Sequence, residues 1–170
     1  PEPMQSGPRF TEVRPQGQAK RSLGRKEKHM AEPIRVLLVE DNPNDAELLL
    51  WGLRRAGFEP EWQRVETETD YLRLLAPDLD LILSDYQMPT FDGLRALQLL
   101  KTRGLEVPFI IVSGSIGEET AVEAMKQGAM DYLLKDRLVR LGQSVRQALD
   151  QGRLRQQGQE AALKLQASED

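Results

Sequence analysis

The chain of 170 residues contains no cysteine. Disulfides, thiolate nucleophiles and cysteine-ligated zinc are therefore excluded. His29 is its single histidine, which excludes a multi-histidine metal centre and leaves little for histidine general-base chemistry. No apolar run approaches the roughly 18 residues that a membrane span needs. Basic residues are in the minority: 23 Lys and Arg stand against 27 Asp and Glu, a formal net charge of −4. Nucleic acid requires a basic face, so neither direct nucleic-acid binding nor membrane binding is expected. What is present, 39% hydrophobic and 29% charged residues, suits one globular domain with some tail.

The charge is uneven. Residues 1–33 carry seven Lys and Arg against four Asp and Glu, and five prolines, with little apolar periodicity. That composition predicts a loosely attached basic arm. It has no apolar stretch of the kind a signal peptide needs. His29 and Met30 ahead of Ala31, Glu32 and Pro33 resemble a translation start or a junction, in which case residues 1–29 carry no function. The rival reading is a basic arm for an acidic partner.

Regular patterning begins at Ile34. Residues 34–39 form a short run rich in branched apolar side chains, as expected of a strand buried on both faces. Similar runs occupy 79–85, 107–112 and 131–135, with a weaker strand at 58–65. Helical patterns lie between them at 44–56, 67–75, 93–103 and 118–127, and a last helix begins near Leu138. Leu48, Leu49, Trp51 and Leu53 are candidates for the inner face of the first helix. Glycines at 57, 104 and 128 supply helix stops. Five strands alternating with five helices predict right-handed βαβ units and a parallel sheet covered on both faces. Such sheets place their sites beyond the carboxyl ends of the strands.

The residues at those ends carry the chemistry. Glu40 and Asp41 follow the first strand, Asp85 ends the third, Ser113 follows the fourth and Lys135 ends the fifth. Carboxylates about 4 Å apart repel by roughly 4 kcal/mol at an effective dielectric near 20. A hard divalent cation such as Mg²⁺ relieves that repulsion. Lys135 suits a phosphoryl oxygen and Ser113 adds a hydroxyl, so the set fits phosphoryl transfer onto an aspartate.

Residues 34–149 resemble the receiver domain of two-component response regulators, of the CheY-like superfamily. Val39 to Pro43 (Val-Glu-Asp-Asn-Pro) resembles its acidic pair. Ser84 to Pro89 (Ser-Asp-Tyr-Gln-Met-Pro), with Asp92 and Gly93, resembles the segment around the phosphorylated aspartate. Residues 111–115 (Ile-Val-Ser-Gly-Ser) and 131–135 (Asp-Tyr-Leu-Leu-Lys) resemble the segments of the switch hydroxyl and of the switch aromatic with its lysine. The resemblance implies a flavodoxin-like, doubly wound sheet in the order 2-1-3-4-5 with an extended C-terminal helix, in a receiver domain at 34–150. It implies a cytoplasmic signalling module rather than an enzyme. Asp85 would accept a phosphoryl group from a phosphohistidine on a sensor histidine kinase or phosphotransfer protein. Glu40, Asp41, Asp85 and the backbone carbonyl of Gln87 would hold Mg²⁺. Lys135 would contact Asp85 or its phosphoryl oxygens, and Ser113 and Tyr132 would switch the surface. Gln87 and Ser115 sit where this family varies, and Gly114 where many members carry alanine.

Residues 151–170 read as a helical linker or tail, weakened at Gly152 and Gly158 by about 1 kcal/mol each. Leu154, Ala161 and Leu165 would continue an apolar stripe as a weak coiled coil. The alternative is a frayed tail. The residues after Leu149 leave no room for a DNA-binding domain, and the ending at Ser168, Glu169 and Asp170 resembles the front piece of a longer protein with a downstream domain. A homodimer would use the fourth and fifth helices or the last helix.

Two other functions compete. An aspartate-based phosphohydrolase typically has a second acid two residues after the nucleophile, where this chain has Gln87. A flavodoxin-like cofactor binder needs a Ser/Thr/Gly-rich loop after the first strand, where this chain is acidic. The phosphate-binding Gly-x-x-x-x-Gly-Lys-Ser/Thr motif is missing.

Overall fold

The structure is a computed structural model that describes residues 31–115 and 117–169. The basic arm and the His29–Met30 junction lie outside the described residues. Five strands, β1 (Glu32–Val39), β2 (Phe58–Val65), β3 (Leu81–Asp85), β4 (Phe109–Ser113) and β5 (Asp131–Leu134), alternate with α1 (Pro43–Arg55), α2 (Glu68–Leu74), α3 (Gly93–Thr102), α4 (Glu118–Lys126) and α5 (Leu141–Glu169). All strand pairs are parallel, in the order β2-β1-β3-β4-β5. No described helix is long and apolar enough to cross a membrane.

The local signals act as chemistry requires. Asn42 caps α1 by accepting from the Asn44 N–H, with Pro43 at the first helical position. Thr67 and Asp92 cap α2 and α3 in the same way. Gly57, Gly104 and Gly128 take positive φ just beyond α1, α3 and α4, a backbone conformation that other residues adopt at a cost.

Period-two alternation along the strands divides the core. Ile34, Val36 and Leu38 of β1, with Leu81, Leu83, Ile110 and Val112, pack against Leu49, Leu50 and Leu53 of α1 and Val145 and Ala148 of α5. Leu37, Val39, Ile82, Phe109 and Ile111 face Tyr71, Ala96, Leu97, Leu100 and Ala124 of α2, α3 and α4. The buried Tyr71 hydroxyl donates to the Ala96 carbonyl at 2.7 Å, joining α2 to α3.

Several expectations shift. Leu48 and Trp51 point outward, and Ala46 and Leu50 join Leu49 and Leu53 on the inner face. The reason is the neighbour. A β-carbon on Gly52 would lie 2.9 Å from Leu141 Cδ2, and one on Gly142 would lie 2.7 Å from Ala56 Cβ. These bare positions let α1 and α5 meet closely, which fixes the rotation of α1. β1 begins two residues earlier than expected: Glu32 and Pro33 pair with Phe58 and Glu59. β4 begins later, at Phe109, because Pro108 has no N–H for the ladder. Asp80 precedes β3 but still holds β1 on both sides of Arg35, its N–H on the Arg35 carbonyl and its carboxylate on the Arg35 N–H. The C-terminal helix is continuous through Gly152 and Gly158 to Glu169, buried only as far as Leu149.

Gly142→Val drives new atoms into Ala56. It should lower stability by about 1–3 kcal/mol in urea unfolding; unchanged stability would mean that α1 and α5 do not meet this closely.

Candidate functional site

Strand register levels the ends of the sheet. Val39 lies opposite Ser84, Asp85 opposite Val112 and Ser113 opposite Leu134. Glu40 therefore emerges beside Asp85, where the strand order reverses between β1 and β3. Lys135 follows β5, and its N–H on the Ser113 carbonyl at 2.9 Å prolongs the ladder by one bond. A β-carbon on Gly93 would come within 2.8 Å of the Asp85 carbonyl oxygen, so the start of α3 can approach the end of β3 only with glycine there.

Glu40, Asp41 and Asp85 each offer an oxygen, and these oxygens all lie within 4.8 Å of one another. The Lys135 amine sits 2.8 Å from Glu40 Oε2 and donates to Asp85 Oδ2 at 3.0 Å. Glu40 is almost fully buried, and Asp85 is buried too. Glu40 Oε1 accepts from the Asn42 N–H at 3.1 Å. Its Oε2, although close to the Lys135 amine, receives no aligned hydrogen bond and is the one buried side-chain oxygen or nitrogen among the described residues without a partner.

The electrostatics follow. Burial pushes the Glu40 carboxyl up from its ordinary 4.5 to about 7; Lys135 and the Asn42 N–H pull it down, and repulsion from Asp85 adds to the rise. Burial opposes charge on Lys135, but the carboxylates of Asp45, Glu40 and Asp85 around the amine outweigh it and hold it well above the ordinary lysine range.

The other candidates sit around this centre. Gln87 is exposed, and its N–H donates to Asp85 Oδ1 at 3.3 Å. Ser113 is buried and its hydroxyl accepts from the Ser115 N–H at 3.3 Å. Tyr132 is half-buried, with its hydroxyl on the Ser115 carbonyl at 3.3 Å and its ring centroid 6.4 Å from that of Tyr86. Both switch candidates are thus tied to Ser115 rather than to Asp85. Two residues went unnoticed in the sequence. Asp45 binds the Lys135 amine at 2.7 Å; in sequence it reads as part of a capping turn. Arg64, on the strand next to β1, donates to the Glu40 carbonyl at 3.1 Å. No local motif marks it.

The donor set fits a hard cation. Three carboxylates converge, two of them buried, and the spread of their oxygens is near the roughly 4 Å between opposite ligands of Mg²⁺.

The raised Glu40 pKa has a sign that can be checked in metal-free protein. The folded chain holds this proton up to about pH 7 and the unfolded one only to about 4.5, so folding stability declines as pH rises through that window. Glu40→Gln removes the loss. Its stability relative to wild type should improve between pH 5 and pH 8 by on the order of 1–3 kcal/mol. A difference that is flat with pH would mean that Glu40 is not strained by its burial.

The pattern of the family described as "Response regulator receiver domain" matches residues 36–146. Among curated proteins, the Response regulator protein FleR of Pseudomonas aeruginosa is 38% identical over 102 residues, 59% of this chain and 21% of that protein. The Transcriptional regulatory protein ZraR of Klebsiella oxytoca is 32% identical over 109 residues, 61% of this chain and 23% of that protein. The chain thus spans about a fifth to a quarter of these two relatives. Among solved structures, the receiver domain of the histidine kinase CKI1 from Arabidopsis thaliana, in complex with Mg²⁺ and BeF₃⁻, is 26% identical with a TM-score of 0.58, covering 72% of this chain and 93% of that one. The signal receiver domain of a signal transduction histidine kinase from Syntrophus aciditrophicus is 30% identical with a TM-score of 0.56, covering 69% and 90%. With this match and the sheet order agreeing, the chain belongs to the receiver domains of response regulators, the signalling modules of two-component phosphorelays.

Proposed function

We propose that this chain is a phosphoaccepting switch in which Asp85 takes a phosphoryl group from a phosphohistidine on a sensor histidine kinase or phosphotransfer protein. The observation that carries the reading is the Lys135 amine on Asp85 at 3.0 Å, beside oxygens of Glu40 and Asp41. An oxygen of the Asp85 carboxylate attacks phosphorus in line, the phosphorus–nitrogen bond of the donor breaks, and its electron pair leaves with the imidazole. The product is an aspartyl phosphate. Glu40, Asp41, Asp85 and the Gln87 carbonyl would hold Mg²⁺, which when bound neutralises charge on the phosphoryl oxygens. A receiver domain of the same fold solved with Mg²⁺ and BeF₃⁻ supports a role for Mg²⁺.

The chain's own groups do the remaining work. Lys135 contributes a positive charge beside the Asp85 carboxylate, within reach of the phosphoryl oxygens. The Ser113 hydroxyl gives up the Ser115 N–H and donates to a phosphoryl oxygen. Tyr132, held by the same Ser115, follows. A local charge thereby becomes a surface change. The exposed Gln87 offers the site its backbone and no acid, which disfavours the competing reading as a phosphohydrolase turning over a small substrate. Autophosphorylation from small donors and slow self-dephosphorylation complete the reading. The downstream partner would be a further domain in the same polypeptide, consistent with the greater length of the relatives.

Incubation with Mg²⁺ and acetyl phosphate should add one phosphoryl mass to the wild type and none to Asp85→Asn, read by intact-protein mass spectrometry. A gain that persists in Asp85→Asn would move the acceptor elsewhere. Chelating the metal should abolish the gain in the wild type.

A further inference from the structure

Lys135 is held by three carboxylates, and the shortest contact comes from the one outside the proposed metal set: 2.7 Å to Asp45, against 2.8 Å to Glu40 and 3.0 Å to Asp85. Asp45 is placed independently of those two. It is the third residue of α1, whose start is pinned by the Asn42 cap and by Pro43. It therefore reaches the amine from a helix, whereas Glu40 and Asp85 reach it from strand ends. An ammonium has three N–H donors, and here three carboxylates stand around it.

The proposed reaction would disturb two of these contacts. Metal binding draws on the oxygens of Glu40 and Asp85, and phosphorylation of Asp85 turns its carboxylate into an acyl phosphate whose negative charge lies out on the phosphoryl oxygens. Asp45 contributes no oxygen to the gathered set of Glu40, Asp41 and Asp85, so its hold on Lys135 survives both events. A third of its side chain is exposed.

We propose that Asp45 is a positioning residue for Lys135, keeping the amine in the site while Glu40 and Asp85 turn to the metal and the phosphoryl group. The proposal rests on the reading of Asp85 as phosphoacceptor. Without Asp45 the amine's remaining acceptors are the metal's own ligands, and a four-carbon side chain with no other anchor spends less time where the phosphoryl oxygens arrive.

The test is phosphorylation by acetyl phosphate at saturating Mg²⁺ in the wild type, Asp45→Ala, Asp45→Asn, Lys135→Met and the double variant Asp45→Ala with Lys135→Met. Asp45→Ala should slow the reaction about tenfold, whereas Asp45→Asn, which can still accept from the amine, should stay within about threefold of the wild type. With methionine at 135, Asp45→Ala should bring no further loss. Equal losses in Asp45→Ala and Asp45→Asn would show a general charge effect and overturn the proposal. So would a loss from Asp45→Ala that persists undiminished beside Lys135→Met. Should the wild type take up no phosphoryl group at all, the reading of Asp85 fails, and the pairing is decided by urea unfolding of wild type, Asp45→Ala, Lys135→Met and the double variant in metal-free buffer. Non-additive losses there sustain the hold of Asp45 on Lys135, and additive losses remove it.

Discussion

One ammonium group stands among the acids at the carboxyl ends of the strands. Lys135 touches Glu40, Asp45 and Asp85, and Asp41 completes the acidic ring. Like charges at such distances repel by roughly 4 kcal/mol per pair at an effective dielectric near 20. A single lysine cannot neutralise four carboxylates. The remainder is expressed at Glu40, the most buried acid, whose proton is retained to about pH 7 and whose Oε2 lacks an aligned donor. The sheet below absorbs this cost. Its inner strands β3 and β4 are buried on both faces, and their register brings the charged ends level. The site is in this sense a loaded arrangement. The fold holds together charges that favour a cation and an anionic ligand over the bare pocket.

The parts of this plan that depend on short-range pattern were open to reading from sequence. Branched apolar runs identify β1, β3 and β4, because a strand buried on both faces is apolar over most of its length, with polar residues only toward its carboxyl end. Their ends then identify Glu40, Asp85 and Ser113. What depends on contacts between distant segments was not legible. Residues 46–53 of α1 are apolar almost all round, so its inner face is decided by α5, through the bare Gly52 and Gly142. Asp45 was concealed by its own suitability: an acid in the first turn of a helix is explained by the helix dipole alone, and nothing local indicates a lysine 90 positions away. The persistence of α5 is a matter of summation. Two glycines cost about 1 kcal/mol each, yet Gln, Ala, Leu and Arg fill most other positions of the tail. Beyond Leu149 the helix also leans on the sheet's amino-terminal edge, through Arg153 on Glu32 and Gln159 on Glu106 at 3.0 Å.

Ser115 shows how a change at such a site could leave it. The Ser115 N–H is spent on the Ser113 hydroxyl, and its carbonyl on the Tyr132 hydroxyl, both at 3.3 Å. These bonds are long, hence weak, and they share one peptide-bearing residue. On the proposed reading, a new anionic oxygen on Asp85 accepts from the Ser113 hydroxyl and draws it inward, away from the Ser115 N–H that it now accepts from. A charge-assisted hydrogen bond is roughly twice as strong as a neutral one, so the inward movement of the hydroxyl outweighs the long bond from the Ser115 N–H. A loop freed at its N–H no longer holds its carbonyl in place, and Tyr132 loses its acceptor. Its ring already leans toward Tyr86, 6.4 Å away at the end of β3. The coupling requires no long-range strain: two weak bonds on one residue are exchanged for one strong bond on the phosphoryl group. Asp45 matters to this exchange because Lys135 extends the ladder from the Ser113 carbonyl. An amine anchored on α1 keeps the end of β5 in place while the loop after β4 moves, so the motion is directed into the loop and Tyr132 rather than spread across the sheet.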